Sequence, residues 1–292
     1  MLVYWSGERP NVGDELNPWL WPRILPASLT MDDSIEFFGI GSILTEQRLS
    51  RTPKSKIIFG AGKRDASPFN ATLMSRCEID FVRGPLSARA LGLHDSAAIT
   101  DPAALMPLHY LSAKVDPVPG RVGFVPHCSM PEKQAQTIAS ELGMFLILPS
   151  RGVEDFIAAL QSCTKVVAEA MHAAVLADAY RIPWIGCSFS SLLSEGTTNA
   201  FKWQDWMESL SMQPELTQIM PVFTSRRHPR LSRAMNRVLT QLYIYALKRA
   251  LSEGRWMLSK DENLRRAQAR LCERVNGLWD RHSGSKAKMR SL

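Results

Sequence analysis

Apolar residues arrive in short runs along the first hundred positions, each closed by glycine or a polar turn. Met1–Trp5, Ile35–Phe38, Lys56–Phe59, Ile79–Val82 and Ala97–Thr100 are too short for helices and read as buried strands. Between the later runs, Asn70–Cys77 and Leu86–Leu93 carry a helical spacing, the second ended by Gly92. Apolar strands that return after a helical crossover predict a parallel sheet.

Pro102, Pro107, Pro117 and Pro119, the last beside Gly120, then punctuate the chain and mark a domain boundary. A second series follows. Strands are expected at Arg121–His127, Phe145–Ser150, Lys165–Glu169 and Pro183–Cys187, and helices at Pro131–Met144, Val153–Cys163 and His172–Tyr180. Pro131 opens its helix and Gly143 lies near its end, the usual asymmetry. Two α/β domains in series are the expectation, 1–118 and 119–225, with 226–292 as a basic helical tail. In that tail Arg237–Leu251 and Asn263–Arg281 read as helices, and SGSKAKMRSL as a frayed end. Leu264, Ala267, Leu271, Val275 and Leu278 form one apolar stripe on the second helix.

Composition narrows the class. With 45% hydrophobic and 22% charged residues, the chain belongs with folded globular proteins rather than disordered ones. Its net charge of +7 is uneven: from Arg226 onward 17 Lys/Arg face 5 Asp/Glu, while the remainder is mildly acidic. Such a tail suits an anionic surface or ligand. It lacks zinc-finger, helix-pair or aromatic-interleaved signatures, so no nucleic-acid partner is expected. The 5 cysteines are scattered singly without CxxC, which argues for a reducing compartment and against disulfides or structural zinc. No apolar run approaches bilayer length, and the first residues lack a signal-peptide pattern, so a cytoplasmic location is expected.

The chemistry-bearing residues gather at strand ends. NVGDELN follows the first apolar run, with Gly13 permitting a tight path and Asp14 and Glu15 able to accept hydrogen bonds or protons. It reads either as a loop at a strand's carboxyl end or as a cap opening a helix near Asn17–Trp21. Gly39, Gly41 and Ser42 close the second strand, and Gly60 and Gly62, followed by Lys63 and Arg64, close the third. Neither is a full GxGxxG or a Walker A loop, which disfavours a nicotinamide cofactor and a P-loop. Arg83 follows the fourth strand and suits a carboxylate or phosphate, and Asp101 ends the fifth; a surface Arg and a capping Asp are the plainer alternatives. In the second series His127, Glu169 and His172 follow strands; a histidine there could move a proton, bind an anion or be structural. No third ligand accompanies the histidines, so no metal is expected.

Together, NxGDxL, strand–GxGS, strand–GxG, FVRGxxSAxxLG, a DPA strand end and ExMHAAxxADAxxxPWIG resemble the polysaccharide pyruvyl transferase family, most closely its bacterial exopolysaccharide ketal-pyruvate branch, over roughly residues 3 to 210. The resemblance implies two Rossmann-like domains facing a cleft, in a GT-B-like fold. It implies phosphoenolpyruvate as donor substrate, no further cofactor, and a lipid-linked oligosaccharide acceptor at the cytoplasmic face of the plasma membrane, where the basic tail would touch anionic lipid. The reaction would convert two sugar hydroxyls to a cyclic pyruvate ketal. Set against that chemistry, Arg83 is the expected anion clamp and His172 the phosphate contact or general acid. Asp14 or Glu169 would orient or deprotonate the acceptor hydroxyl, the glycine loops would supply backbone contacts, and His127 is a further candidate. Many members carry an Arg where Met171 stands here, so Arg121 or Arg151 would take its place. Two rival readings are a nucleotide-sugar-dependent GT-B glycosyltransferase and a non-catalytic membrane-surface binding protein.

Overall fold

The computed structural model describes residues 1–6, 10–111, 115–189, 196–219 and 229–282; the expected boundary at 225/226 and the end SGSKAKMRSL lie outside them. The chain begins β1 (Leu2–Val3), α1 (Val12–Ile24), α2 (Ala27–Thr30), β2 (Ile35–Phe38), α3 (Glu46–Leu49), β3 (Ser55–Phe59), α4 (Ala71–Met74), β4 (Cys77–Phe81), α5 (Pro85–Ala90) and α6 (Met106–His109). It continues through β5 (Val122–Val125), α7 (Glu132–Glu141), β6 (Phe145–Leu146), α8 (Val153–Gln161), β7 (Lys165–Ala168), α9 (Met171–Ala179) and β8 (Trp184–Phe189). It closes with α10 (Gly196–Ser209), β9 (Thr217–Ile219), α11 (Pro229–Ser252) and α12 (Asp261–His282). Two compact units result: Met1–Leu111 with Phe201–Pro214 and Ser259–Leu292, and Ser112–Ala200 with Glu215–Leu258. The tail's two helices therefore go to different units, α12 to the first and α11 to the second.

In the first unit, β1, β2, β3 and β4 pair in sequence order, all parallel. Alternation along each strand divides the core. Trp21 of α1 meets Phe37 and Phe59 at ring distances of 5.3 and 5.6 Å, while Phe38, Ile58 and Val82 join a cluster with Leu49, Ala88 and Leu91. The expected strand Ala97–Thr100 is reduced to one parallel bridge between Val82 and Ala98, because a 3₁₀ turn occupies Asp95–Ala97. The stripe on α12 is buried, and Trp279 donates to the Ile24 carbonyl at 2.8 Å.

NVGDELN is helix rather than loop. Asn11 caps α1, accepting from the Gly13 amide, and Asp14 and Glu15 occupy the first turn, where acidic side chains suit the helix dipole. Pro18 lies inside this helix and lacks the N–H that would pair with the Asp14 carbonyl. The Asn17 side-chain amide donates to that carbonyl instead, at 3.2 Å. The cap was one of the two readings of this segment, with the helix expected near Asn17–Trp21; it begins instead at Val12.

The second unit has a parallel sheet ordered β6-β5-β7-β8-β9. From β5 the chain passes outward to β6 and then returns to the other side of β5 as β7. The carboxyl ends of β5 and β7 are thus a topological switch point, the usual place for a ligand in an open α/β sheet. Phe124, Val167 and Ile185 form the core with Ile138 of α7 and Tyr243, Ile244 and Leu247 of α11. Among the described residues, no helix is long and apolar enough to cross a membrane.

Candidate functional site

In the first unit, the loop after β2 is tied to α1. Asn17 accepts from the Ile40 amide at 2.8 Å and donates to its carbonyl at 3.0 Å. Gly39 is obligatory here, since an added Cβ would sit 2.1 Å from Trp21 Nε1. Gly41 and Gly60 hold φ of 117° and 94°.

Arg83 occupies the centre of these loops and is wholly buried. Its Nε donates to Asp205 Oδ2 at 3.0 Å, Nη1 to Ser42 Oγ at 2.7 Å and Nη2 to the Lys63 carbonyl at 3.2 Å. The guanidinium packs against Gly62, where a Cβ would collide with Arg83 Cζ. Asp205, from α10, also accepts from the Ser87 amide at 2.8 Å and hydroxyl at 2.7 Å. The expectation for Arg83 was a substrate anion; its actual partner is an internal carboxylate. Asp101 is also buried and caps the turn Pro102–Leu105 through the Ala103 amide at 3.0 Å.

Other side chains line this strand edge. Asp14 is half-buried and accepts from Asn11 Nδ2 at 3.1 Å. Burial lowers the Arg48 pKa, and the Asp14 charge opposes that fall. The Arg48 guanidinium also stands 5.7 Å from the ring of Trp5, which is 57% exposed at the end of β1. The Lys63 ammonium lies 3.5 Å over the Phe69 ring, its pKa lowered by burial and partly restored by Asp65 and Glu46. No motif in the sequence marks Trp5, Arg48 or Asp205 for a role. Trp5 was legible as an aromatic at a strand end, but nothing in the spacing links Arg48 to Asp14, or Asp205 to Arg83.

At the switch point of the second unit, Glu169 follows β7 and is 2% exposed. Its Oε2 accepts from the His127 amide at 2.9 Å and the Tyr243 hydroxyl at 3.1 Å, so it pins the loop after β5 to α11. Burial, and then the Glu169 charge, push the Tyr243 phenol well above its ordinary pKa; the same causes raise the Cys187 thiol. His127 Nδ1 lies 2.7 Å from Ser129 Oγ. His172 is the second residue of α9 and half-buried, and the first turn of α9 has no side-chain cap. Met171 is buried beside it. Of the two cations considered as replacements there, Arg121 precedes β5, stacking on Phe145 and donating to Ser162 Oγ at 3.1 Å, which puts it at the opposite sheet edge. Arg151 is exposed just beyond β6, at the same edge as His127 and Glu169. Among the described residues, no three His, Cys, Asp or Glu side chains come together to hold a metal ion.

The second unit's open parallel sheet has His127, Glu169 and His172 beyond its strand carboxyl ends, where α/β proteins commonly hold ligands, and comparison with known proteins narrows the class. A family profile described as Polysaccharide pyruvyl transferase matches residues 24–191. The chain belongs to that family. It is similar to the Succinoglycan biosynthesis protein ExoV of Rhizobium meliloti (strain 1021), with 31% identity over 213 residues, covering 72% of this chain. The match spans 64% of the length of that relative. No solved structure is matched.

Proposed function

We propose that the protein transfers pyruvate from phosphoenolpyruvate to two hydroxyls of one sugar in a lipid-linked oligosaccharide, forming a cyclic ketal during exopolysaccharide biosynthesis. The C2–O bond to phosphate breaks and two C2–O bonds to the sugar form. One hydroxyl proton ends on the former methylene carbon, making it a methyl, and the other leaves with phosphate. The observation that carries the reading is the set His127, Glu169 and His172 at the switch point of a chain belonging to this family.

In this reading the start of α9 receives the phosphate: the helix dipole and His172 favour an anion there, and His172 is the general acid. Arg151 supplies the cation that Met171 does not. Glu169 holds the His127 loop in place, and its buried hydrogen bonds suit it to positioning. Arg83 sets the shape of both glycine loops from within. Asp14 takes an acceptor hydroxyl, and Trp5 offers a flat apolar face to a sugar ring. Two parallel-sheet units with chemistry at their strand ends support a GT-B-like assignment, and the basic tail supports work beside an anionic membrane at the cytoplasmic face.

The test is release of inorganic phosphate from phosphoenolpyruvate in the presence of lipid-linked glycan extract, with calorimetric titration of the donor alone. Donor binding, and phosphate release that requires glycan, are expected. Binding of a nucleotide sugar with indifference to phosphoenolpyruvate would overturn the reading in favour of a glycosyltransferase.

A further inference from the structure

The helix α11 presents two contrasting faces. Leu239, Tyr243, Ile244, Leu247 and Ala250 are buried in the second unit. On the opposite side Val238, Leu242 and Tyr245 are 60%, 48% and 67% exposed. They recur at i, i+4 and i+7, which aligns them as one stripe along the outer surface. Isolated exposed apolar residues need no explanation, but three in register on one helix do.

Charge identifies what covers the stripe. Arg237, Lys248 and Arg249 are exposed on the same helix, and α11 contains no Asp or Glu along its whole length. Arg249 bonds to Glu253, just past the helix end, and Glu253 also pairs with Arg255, so the local balance stays positive. An apolar stripe bordered by cations, with a tyrosine at its margin, has the composition of a helix lying in a headgroup region. A soluble acidic partner would match the charge and leave the stripe unexplained.

We propose that the outer face of α11 is the docking surface for an anionic lipid bilayer, with Val238, Leu242 and Tyr245 entering the interface and Arg237 and Lys248 meeting lipid phosphates. The role falls to α11 and not to α12, whose apolar stripe is already buried and whose Arg274 and Arg281 pair with Asp80. The inference deepens the membrane contact in the reading above but does not depend on its chemistry. It is scored without donor or acceptor, so failure of one is seen apart from failure of the other.

The experiment is flotation of the full chain with phosphatidylcholine vesicles, with and without phosphatidylglycerol, at low and high salt. The wild type is expected to float with the anionic vesicles and to be released by salt, since the cations act within a Debye length. V238S/L242S/Y245S should weaken that binding about tenfold or more and retain the wild-type unfolding midpoint, because all three side chains face solvent. R237E/K248E, which keeps the stripe, should lose the preference for anionic over neutral vesicles. Equal flotation of wild type and triple variant, or no flotation of the wild type, would overturn the proposal. So would a wild-type dimer in light scattering that the triple variant converts to monomer, which would assign the stripe to a second copy of this chain.

Discussion

Arg83 and Asp205 stand 122 residues apart in sequence and meet as a fully buried ion pair, Nη2 to Oδ2 at 3.0 Å. The pair joins α10 to the loops after β3 and β4, and through Ser42 to the loop after β2. Removing one partner strands a charge in the interior, so Asp205→Ala should lose about 3–5 kcal/mol. Replacing both, as in Arg83→Met with Asp205→Leu, should cost less than the single change, since no lone charge remains. Urea unfolding of the wild type and both variants measures this. A single variant within about 0.5 kcal/mol of wild type would show that the pair does not hold these loops.

Tyr243 and Cys187 make the second unit sensitive to alkali. Both pKa values are raised in the fold, by burial first. The folded protein therefore binds more protons than the unfolded chain once pH passes the ordinary thiol and phenol values of 9.0 and 10.0. Stability is complete below those values and falls as pH rises beyond them. Tyr243→Phe should lower stability at neutral pH by about 1–3 kcal/mol through loss of the bond to Glu169, and should flatten the alkaline decline. Thermal unfolding from neutral pH upward tests both effects, and an unchanged alkaline slope would argue against the phenol as a source.

The parallel sheets were legible because strand and helix spacing are local properties. Phe37 and Phe38 already announce a strand with two packed faces, and the stripe from Leu264 to Leu278 announces α12. What escaped the sequence depends on distant pairing. Arg83 carries the same pattern whether its carboxylate comes from a substrate or from Asp205. The bond to Glu169 from the Tyr243 hydroxyl, 74 residues on, is likewise absent from any local spacing. α1 begins at Val12, ahead of the expected Asn17–Trp21, and Asn17 makes Pro18 tolerable within it by bonding the orphaned Asp14 carbonyl, a side-chain contact that no spacing announces.

Trp5 and Asp14 are proposed to meet the acceptor, so changes there should act on turnover or KM for glycan and leave the phosphoenolpyruvate KM untouched. Trp5→Ala, at an exposed position, should raise the acceptor KM about tenfold, the usual size for truncation of an aromatic anchor. Asp14→Asn keeps the bond geometry to Asn11 and should lower kcat more than it raises KM if its charge assists a hydroxyl. Steady-state kinetics with each substrate varied in turn separate the two. A rise in the phosphoenolpyruvate KM with no change for glycan would place these residues with the donor instead.

His172 and Arg151 carry the donor side of the proposal and should fail in different ways. His172→Ala removes the proposed general acid and should cut kcat by about 10²–10⁴, with phosphoenolpyruvate still bound. Arg151→Ala removes a cation and should chiefly weaken donor binding, by about tenfold at low ionic strength, with the difference from wild type shrinking as salt screens the charge. Arg121→Ala serves as the contrast: its side chain belongs to the far edge of the same sheet, against Phe145 and Ser162. It should reduce stability and leave the donor KM alone. Calorimetry with phosphoenolpyruvate on the three variants, beside phosphate-release kinetics, decides among these roles. Loss of donor binding in Arg121→Ala but not in Arg151→Ala would move the anion site away from the switch point.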